Sequence, residues 1–360
     1  MVSRPLCVAV VFSLAMAVAV SVGGRARGGD MPGDVSSSAT SKHNVGPHAD
    51  PNSPSACRPQ DEMWVVNSRG IDCVESGKAP SLAFAVRDRG GKLIDVTPGA
   101  FLAATAHGQT RFWIHGYGVA SEEAIDVGQV AYERFVSADE PPVRFVVWSW
   151  PSQREGRRFK DIRDKGRRTD VEAYCLGWVL DKMSPDADIS AIGYSYGTRV
   201  ITGGLHLVGG GDIEGRRLRP NVANVSARST PYQVSGAVAA KASRSCRAVL
   251  LAAAMGSDCL VAGGFNDRAL EQSSEILSIY SSCDRVLKWY PAAARDHDSA
   301  LGYRGLASQP PREGGNGKFA EFDVGYLIGS DHHLETYLDH MEIAAAAREV
   351  LSPEPAAAKR

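Results

Sequence analysis

The sequence predicts an α/β protein: a doubly wound, mostly parallel sheet of about eight strands with helices on both faces. Three observations predict this class. Apolar runs of strand length alternate with helix-like patterns along most of the 360 residues. Some of these runs, such as residues 143–148, are apolar without alternation, as in parallel strands buried on both faces. Finally, residues 189–208 contain a strand pattern, a glycine-flanked turn and a helical pattern, in that order.

Composition and charge exclude several classes of protein. The chain is 44% hydrophobic and 22% charged, as globular proteins are, and its net charge of −1 gives no indication of nucleic-acid binding. No spacing of Cys and His residues resembles a zinc site, so no metal is expected. Cys57 and Cys73 are the most plausible disulfide pair, because they flank the first predicted strand.

The N-terminal 30 residues have the pattern of a signal peptide. Arg4 precedes an uncharged apolar run at residues 6–20, and small residues follow. Because this run is short for a membrane span, we expect a cleaved signal and an exported protein, periplasmic or secreted; an uncleaved membrane anchor is the alternative. Residues 31–60 are predicted to be a disordered spacer, 61–351 the folded domain and 352–360 a tail.

The first half of the domain is predicted to contain five strands and a helix. The strands are residues 63–67, 81–86, 92–96, 111–114 and 143–148, and the second and third can pair across a turn. The helix begins after Ser121, its expected N-cap.

A charged segment and a capping box come next. Residues 154–168 include eight basic and three acidic residues. We interpret them as a solvated face or loop, although such a run could also attract an anionic substrate or surface. Thr169 and Glu172 form a capping-box pattern, which predicts that a helix begins there.

The second half continues the alternation of strands and helices. Residues 189–192, 246–255, 276–280 and 322–328 are predicted strands, and 198–208, 271–274 and 335–351 are predicted helices. Residues 210–245 are irregular and too long for a plain connector. They are either a lid over the site or a disordered surface loop, and the sequence favours neither.

Residues 193–197 read Gly-Tyr-Ser-Tyr-Gly, the G-x-S-x-G pattern of a nucleophile elbow. Such a turn holds its serine in a strained backbone conformation, and glycines on either side relieve the crowding. Ser195 is therefore the candidate nucleophile. Amides at the start of the next helix can bind the oxyanion of a tetrahedral intermediate, and we assign that of Tyr196. The second amide is expected from the His-Gly-Tyr-Gly turn at residues 115–118, at Tyr117.

A serine nucleophile needs a base and an acid that orients it. In this architecture the chain order is serine, acid, histidine, each after a strand. Asp284 follows the strand ending at residue 280, and Asp258 is the second candidate. Asp284 could instead be a plain N-cap for the segment after it. For the base we prefer His333 over His332, because Tyr337, four residues on, could pack behind it.

The residues that carry these patterns resemble the α/β-hydrolase superfamily over residues 61–351. The pieces at 112–118, 148–152, 193–197, 284–288 and 302–306 resemble a narrower group, the bacterial α/β-hydrolases described as domain of unknown function 900. The resemblance implies the α/β-hydrolase fold, a triad of Ser195, Asp284 and His333, and no cofactor. Tyr194 departs from this group, in which a His is common at that position.

Two functions are compatible with these patterns. The first is an exported serine esterase acting on a small-molecule ester or acyl substrate, with no stable membrane span. The alternative is a non-catalytic α/β-hydrolase-like module that binds a ligand at the cell envelope. An intact serine, acid and histidine in the expected order favours the first. A lipase is less favoured, because the 210–245 segment is basic rather than apolar.

Overall fold

A computed structural model describes residues 57–106, 108–219, 246–294, 298–308 and 318–352. The predicted signal peptide, nearly all of the spacer, residues 220–245 of the predicted lid and residues 353–360 lie outside these ranges. Residues 57–60, assigned to the spacer, already belong to the domain. The Arg58 guanidinium bonds to Asp61 at 2.7 Å and to the carbonyl oxygen of Ser137 at 2.6 Å.

The described strands form one mostly parallel nine-stranded sheet. The strands are β1 Glu62–Asn67, β2 Ala83–Arg87, β3 Leu93–Val96, β4 Gln109–Ile114, β5 Val143–Ser149, β6 Asp188–Tyr194, β7 Cys246–Leu251, β8 Ser273–Tyr280 and β9 Lys318–Asp323. The order of the strands in the sheet is β3-β2-β1-β5-β4-β6-β7-β8-β9. Only β2 runs antiparallel to its neighbours, β1 and β3. The predicted α/β class with a mostly parallel sheet is confirmed.

The helices lie on both faces of the sheet. The helices are α1 Pro98–Ala104, α2 Glu123–Phe135, α3 Arg158–Lys182, α4 Tyr196–Val208, α5 Arg285–Lys288, α6 Tyr290–Ala294, α7 Leu301–Arg304, α8 Gly325–Ile328, α9 Leu334–Asp339 and α10 Met341–Leu351, with a 3-10 helix at Asp267–Gln272. Gly128 of α2 packs directly on the Val147 side chain, and Glu172 of α3 accepts a hydrogen bond from Trp148 Nε1 at 2.9 Å. Successive residues of a strand point to opposite faces, so α2 and α3 cover opposite faces.

Helix α3 begins earlier than the sequence predicts. The capping box at Thr169 is wrong: Thr169 is buried inside the helix, and its hydroxyl donates to the Gly166 carbonyl at 2.5 Å. Residues 158–168 of the charged segment are therefore the first turns of a helix, with charges that can form a solvated face as predicted, whereas residues 154–157 precede the helix. Lys and Arg are good helix formers, and their charges can face solvent while the helix packs on its other side.

Other boundaries also differ from the predictions. The strand predicted at 246–255 ends at Leu251, and residues 271–274, predicted to be helical, are divided between the 3-10 helix and β8. Helix α2 begins at Glu123 without a capping bond from Ser121. The last strand ends at Asp323, because Asp323 Oδ1 accepts hydrogen bonds from Gly325 N and Ser282 N and turns the chain into α8. The final helix is two helices, α9 and α10, separated at His340, which has extended backbone angles.

The predicted disulfide between Cys57 and Cys73 is not formed. Cys57 packs against the core whereas Cys73 is exposed, and neither of them forms a disulfide. No helix within those ranges is both long and apolar enough to cross a membrane.

Candidate active site

Ser195 lies in the sharp turn between β6 and α4. Its φ of 51° and ψ of −115° are unusual for a residue with a side chain. A Cβ on Gly193 would lie 2.8 Å from the Gly197 backbone, and one on Gly197 would lie 2.1 Å from the Ile114 carbonyl oxygen. Glycine is therefore needed at both positions for the turn to pack against β4, as the sequence predicts.

Hydrogen bonds to its backbone hold Ser195 in this conformation. Its N–H donates to the Leu251 carbonyl at 2.9 Å. Its carbonyl accepts hydrogen bonds from Thr198 Oγ1 at 2.6 Å and Ala254 N at 3.3 Å. Neighbouring strand β7 and helix α4 therefore fix the elbow from both sides, which offsets the backbone strain at Ser195.

His332 and Asp284 complete a chain of side chains that begins at Ser195. His332 Nε2 lies 3.4 Å from Ser195 Oγ, and His332 Nδ1 lies 2.6 Å from Asp284 Oδ2. Because a carboxylate can only accept, Nδ1 carries the proton and Nε2 presents its lone pair to the serine. This is the tautomer that a general base for Ser195 needs.

His333 does not take part in this chain, so the preference for it over His332 is corrected. Its side chain is 65% exposed, and both its N–H and its Nδ1 bond to Asp331 Oδ1. Tyr337 was expected to pack behind His333 but instead lies 6.2 Å, between ring centroids, from Tyr194. The weaker alternative from the sequence, His332, is the residue that the structure brings to Ser195.

The Asp284 carboxylate bonds both to His332 and to the first N–H groups of helix α5. Its Oδ2 meets His332, while its Oδ1 accepts hydrogen bonds from the N–H groups of Val286 and Leu287, both at 2.8 Å. Asp284 is therefore the N-cap of α5, and the same carboxylate contacts the His332 ring, so one interpretation does not exclude the other. Its side chain is fully buried. Asp258, the second candidate, lies in the turn after β7 and does not occupy this position.

The turn at residues 115–118 packs on the elbow. A Cβ on Gly116 would lie 3.1 Å from Ser195 Cβ and 2.9 Å from Tyr194 Cδ1, so only glycine allows this approach. Tyr117 follows directly. Tyr196 is the first residue of α4, where N–H groups have no partner within the helix. Of the two residues predicted to supply oxyanion amides, Tyr196 thus directly follows the serine, and Tyr117 directly follows the glycine that packs on it.

A buried histidine fixes the shape of that turn. His115 Nδ1 lies 3.0 Å from the Gly116 carbonyl oxygen and 3.2 Å from Ser152 Oγ, and its ring stacks on Trp150. Trp150 Nε1 donates to the His115 carbonyl at 2.8 Å, and Gly118 N donates to the Ser152 carbonyl at 2.8 Å. Burial lowers the pKa of His115 to about 3, so the ring is neutral.

The sequence analysis did not predict a contact between the elbow and the histidine loop. The Tyr194 hydroxyl donates a hydrogen bond to the His332 carbonyl, and the two rings lie 5.6 Å apart. Burial raises the pKa of Tyr194, so the phenol keeps its proton for this bond. The one signal in the sequence was the unusual Tyr at this position of the elbow.

Among the described residues, no group of three or more His, Cys, Asp or Glu side chains could hold a metal ion. No protein-family model matches the chain, and comparisons with curated proteins and with solved structures found no significant match.

Proposed function

We propose that the protein is a serine hydrolase of the α/β-hydrolase type that cleaves a carboxylic ester through an acyl-enzyme on Ser195. The observation that carries this proposal is the chain from Ser195 Oγ through the His332 ring to the Asp284 carboxylate. A serine alone is a poor nucleophile at neutral pH, and a base oriented by a buried acid activates it.

The strand order supports the fold part of this proposal. Ser195, Asp284 and His332 follow β6, β8 and β9, so all three lie at the carboxyl edge of parallel strands. Ligand sites of open α/β sheets lie at this edge. The chain order serine, acid, histidine is that of α/β-hydrolases, as in the group that residues 148–152 resemble.

The reaction begins when Ser195 Oγ attacks the ester carbonyl carbon and its proton passes to His332 Nε2. Asp284 stabilises the resulting imidazolium, and the amides of Tyr117 and Tyr196 bind the oxyanion. When the tetrahedral intermediate collapses, the C–O bond to the alcohol breaks and His332 returns the proton to that oxygen. Water then attacks the acyl-enzyme by the same steps, which releases the acid and restores Ser195.

Export is part of the proposal. It rests on the signal-peptide pattern of residues 1–30, and the substrate would then be a small molecule outside the cytoplasm. A hydrolase of this type needs no cofactor.

Intact-mass spectrometry after exposure to a fluorophosphonate tests the proposal. One adduct on the folded protein, absent from Ser195→Ala, is the expected result, followed by turnover of simple 4-nitrophenyl esters. His333→Ala is the matched control, because the His333 side chain is exposed and forms no hydrogen bond with Ser195, His332 or Asp284. This variant should still be labelled. Folded protein without an adduct or turnover would contradict the proposal and favour the binding module.

A further inference from the structure

The basic half of α3 lies beside the candidate active site. Residues 154–168 include eight basic and three acidic residues in a chain whose net charge is −1. Tyr117 OH donates to Asp161 Oδ2 at 2.6 Å, and Tyr196 OH donates to the Ile162 carbonyl at 3.0 Å. The first turns of α3 therefore contact the side chains of both residues whose amides flank Ser195.

A cavity of about 570 Å³ opens next to this segment. Its walls come from the segments that follow β1 and β5 and from the first turns of α3. Asp161, which holds the Tyr117 hydroxyl, is part of the wall, so the cavity adjoins the predicted oxyanion turn. The cations among its lining residues are Arg69, Arg157, Lys160, Lys165 and Arg168.

Three of these five cations form ion pairs, and the pair of Lys160 is exposed to solvent and therefore weak. Lys160 pairs with Asp164 at 2.6 Å, Lys165 with Glu155 at 3.0 Å and Arg168 with Glu172 at 2.8 Å. These pairs also account for two of the four acidic residues in the lining, which leaves Asp72 and Asp161. Asp161 Oδ2 already accepts hydrogen bonds from the Tyr117 hydroxyl and the Glu155 N–H.

The other two cations form no ion pair with a carboxylate in the described part of the chain, although the carboxylates of Glu122, Glu123 and Glu172 interact with Arg69 at longer range. Arg69 is half-buried and bonds to neutral acceptors: Ser149 Oγ and Gln153 Oε1, both at 2.8 Å, and the carbonyl groups of Val119 and Ala120. Arg157 is exposed and forms no ion pair within the described ranges. Arg154, between the lining residues Gln153 and Glu155, lies over the Tyr117 ring at 5.9 Å.

We propose that this cavity binds an anionic group on the substrate, which would make the substrate an ester with a carboxylate or similar oxyanion away from the reacting bond. The inference rests on the proposed hydrolase function. A half-buried guanidinium bonded only to neutral groups gains more from an incoming anion than one that already has a carboxylate. Positive charges lining a cleft also raise the local concentration of an anionic substrate.

Two esters of equal chain length test the inference. Mono-4-nitrophenyl glutarate carries a terminal carboxylate, and 4-nitrophenyl valerate does not. In the wild type we expect a higher kcat/KM for the glutarate ester than for the valerate ester. The ratio of these two kcat/KM values, glutarate over valerate, should fall roughly five- to tenfold in Arg157→Gln/Lys160→Gln at low salt. The ratio should also fall as NaCl is raised to about 0.5 M. Equal kcat/KM values, or a ratio that the double variant leaves unchanged, would overturn the subsite.

The matched control removes the same two charges elsewhere. Arg134→Gln/Lys182→Gln changes one exposed Arg on α2 and one Lys at the far end of α3, and each side chain is 48% exposed. We expect this variant to keep the wild-type ratio. An equal fall in the control would mean that net charge, rather than this cavity, selects the substrate.

A binding experiment separates the subsite from the hydrolase function. Calorimetry on Ser195→Ala should show tighter binding of the glutarate ester than of the valerate ester, and this difference should shrink in the Arg157→Gln/Lys160→Gln background. That result would support the subsite even if fluorophosphonate labelling and turnover failed. Equal or undetectable binding of both esters would overturn the proposed subsite. The hydrolase proposal would still be decided by the fluorophosphonate labelling.

Discussion

The Tyr194 hydroxyl bonds to the His332 carbonyl, so the residue directly before the candidate nucleophile holds the candidate base. The Tyr194 ring also lies against the His332 imidazole, with 5.6 Å between centroids. Ser195 Oγ and His332 Nε2 lie 3.4 Å apart and must come closer for the proton to be transferred. The position of the His332 backbone sets the direction of that approach. In the proposed mechanism Tyr194 is therefore a positioning residue that acts through His332.

Tyr194→Phe should lower kcat by roughly three- to tenfold and leave KM nearly unchanged, because one buried hydrogen bond of about 1 kcal/mol is lost. Steady-state kinetics on a 4-nitrophenyl ester and the rate of fluorophosphonate labelling would measure the effect. Tyr337→Phe is the matched control, since the buried Tyr337 hydroxyl has no hydrogen-bond partner among the described residues. Equal losses in both variants would indicate a packing defect rather than positioning.

Alanine substitutions of the two adjacent histidines should have very different effects on kcat. His332→Ala should reduce kcat at least about a thousandfold, because among the described residues His332 is the one base that lies at hydrogen-bond distance from Ser195 Oγ. His333→Ala should stay within about twofold, because its ring is exposed and bonds to Asp331. Side-by-side turnover numbers decide the assignment, and an inactive His333→Ala with an active His332→Ala would reverse it.

Some features could be predicted because a few consecutive residues carry them. The elbow needs glycine at 193 and 197 for contacts within its own turn and with β4, and Asp284 follows its strand directly. Alternating strand and helix patterns were sufficient for the fold class. These are local signals, and the structure agrees with them.

Other features depend on contacts between distant segments. His332 and His333 are equivalent in sequence, and the side that each faces depends on the turn that Asp331 stabilises through His333 N–H and Thr336 Oγ1. The bond from Tyr194 to His332 joins residues 138 positions apart. The start of α3 was missed because a capping-box pattern also occurs inside a helix, where Thr169 bonds back to the preceding turn.

Asp284 allows its two roles to be separated by substitution. Asp284→Asn keeps an oxygen that can accept from Val286 and Leu287, so the cap of α5 should survive while the charge that stabilises the imidazolium is lost. We expect kcat to fall at least about a thousandfold with little change in stability. Asp284→Ala should show a similar loss of rate and, in addition, lose about 1 kcal/mol of stability with the cap.

Kinetics and urea unfolding of both variants would measure this separation. Stability that falls equally in the two variants would mean that the cap depends on the charge of Asp284. Turnover that survives in Asp284→Asn would mean that His332 needs no charged partner.

His115 predicts a pH dependence of stability. Burial lowers its pKa to about 3 in the folded protein, whereas an unfolded chain has a histidine pKa near 6.5. Between these values the unfolded chain binds the extra proton, so the contribution of neutral His115 is complete above about pH 6.5 and is lost as the pH falls toward 3. The loss should approach about 1.4 kcal/mol per pH unit for this one group.

Comparing the wild type with His115→Asn isolates this contribution, because carboxylates that titrate in the same range affect both proteins. Asn can still donate to the Gly116 carbonyl but does not titrate, so the variant should be less stable at pH 7, and its deficit should shrink as the pH falls from 6.5 to 4.5. Urea unfolding at each pH measures the difference, and an NMR titration of the His115 ring checks its cause. A deficit that stays constant with pH, or a ring that takes up a proton near pH 6 in the folded protein, would show that the turn at residues 115–118 does not depend on a neutral imidazole.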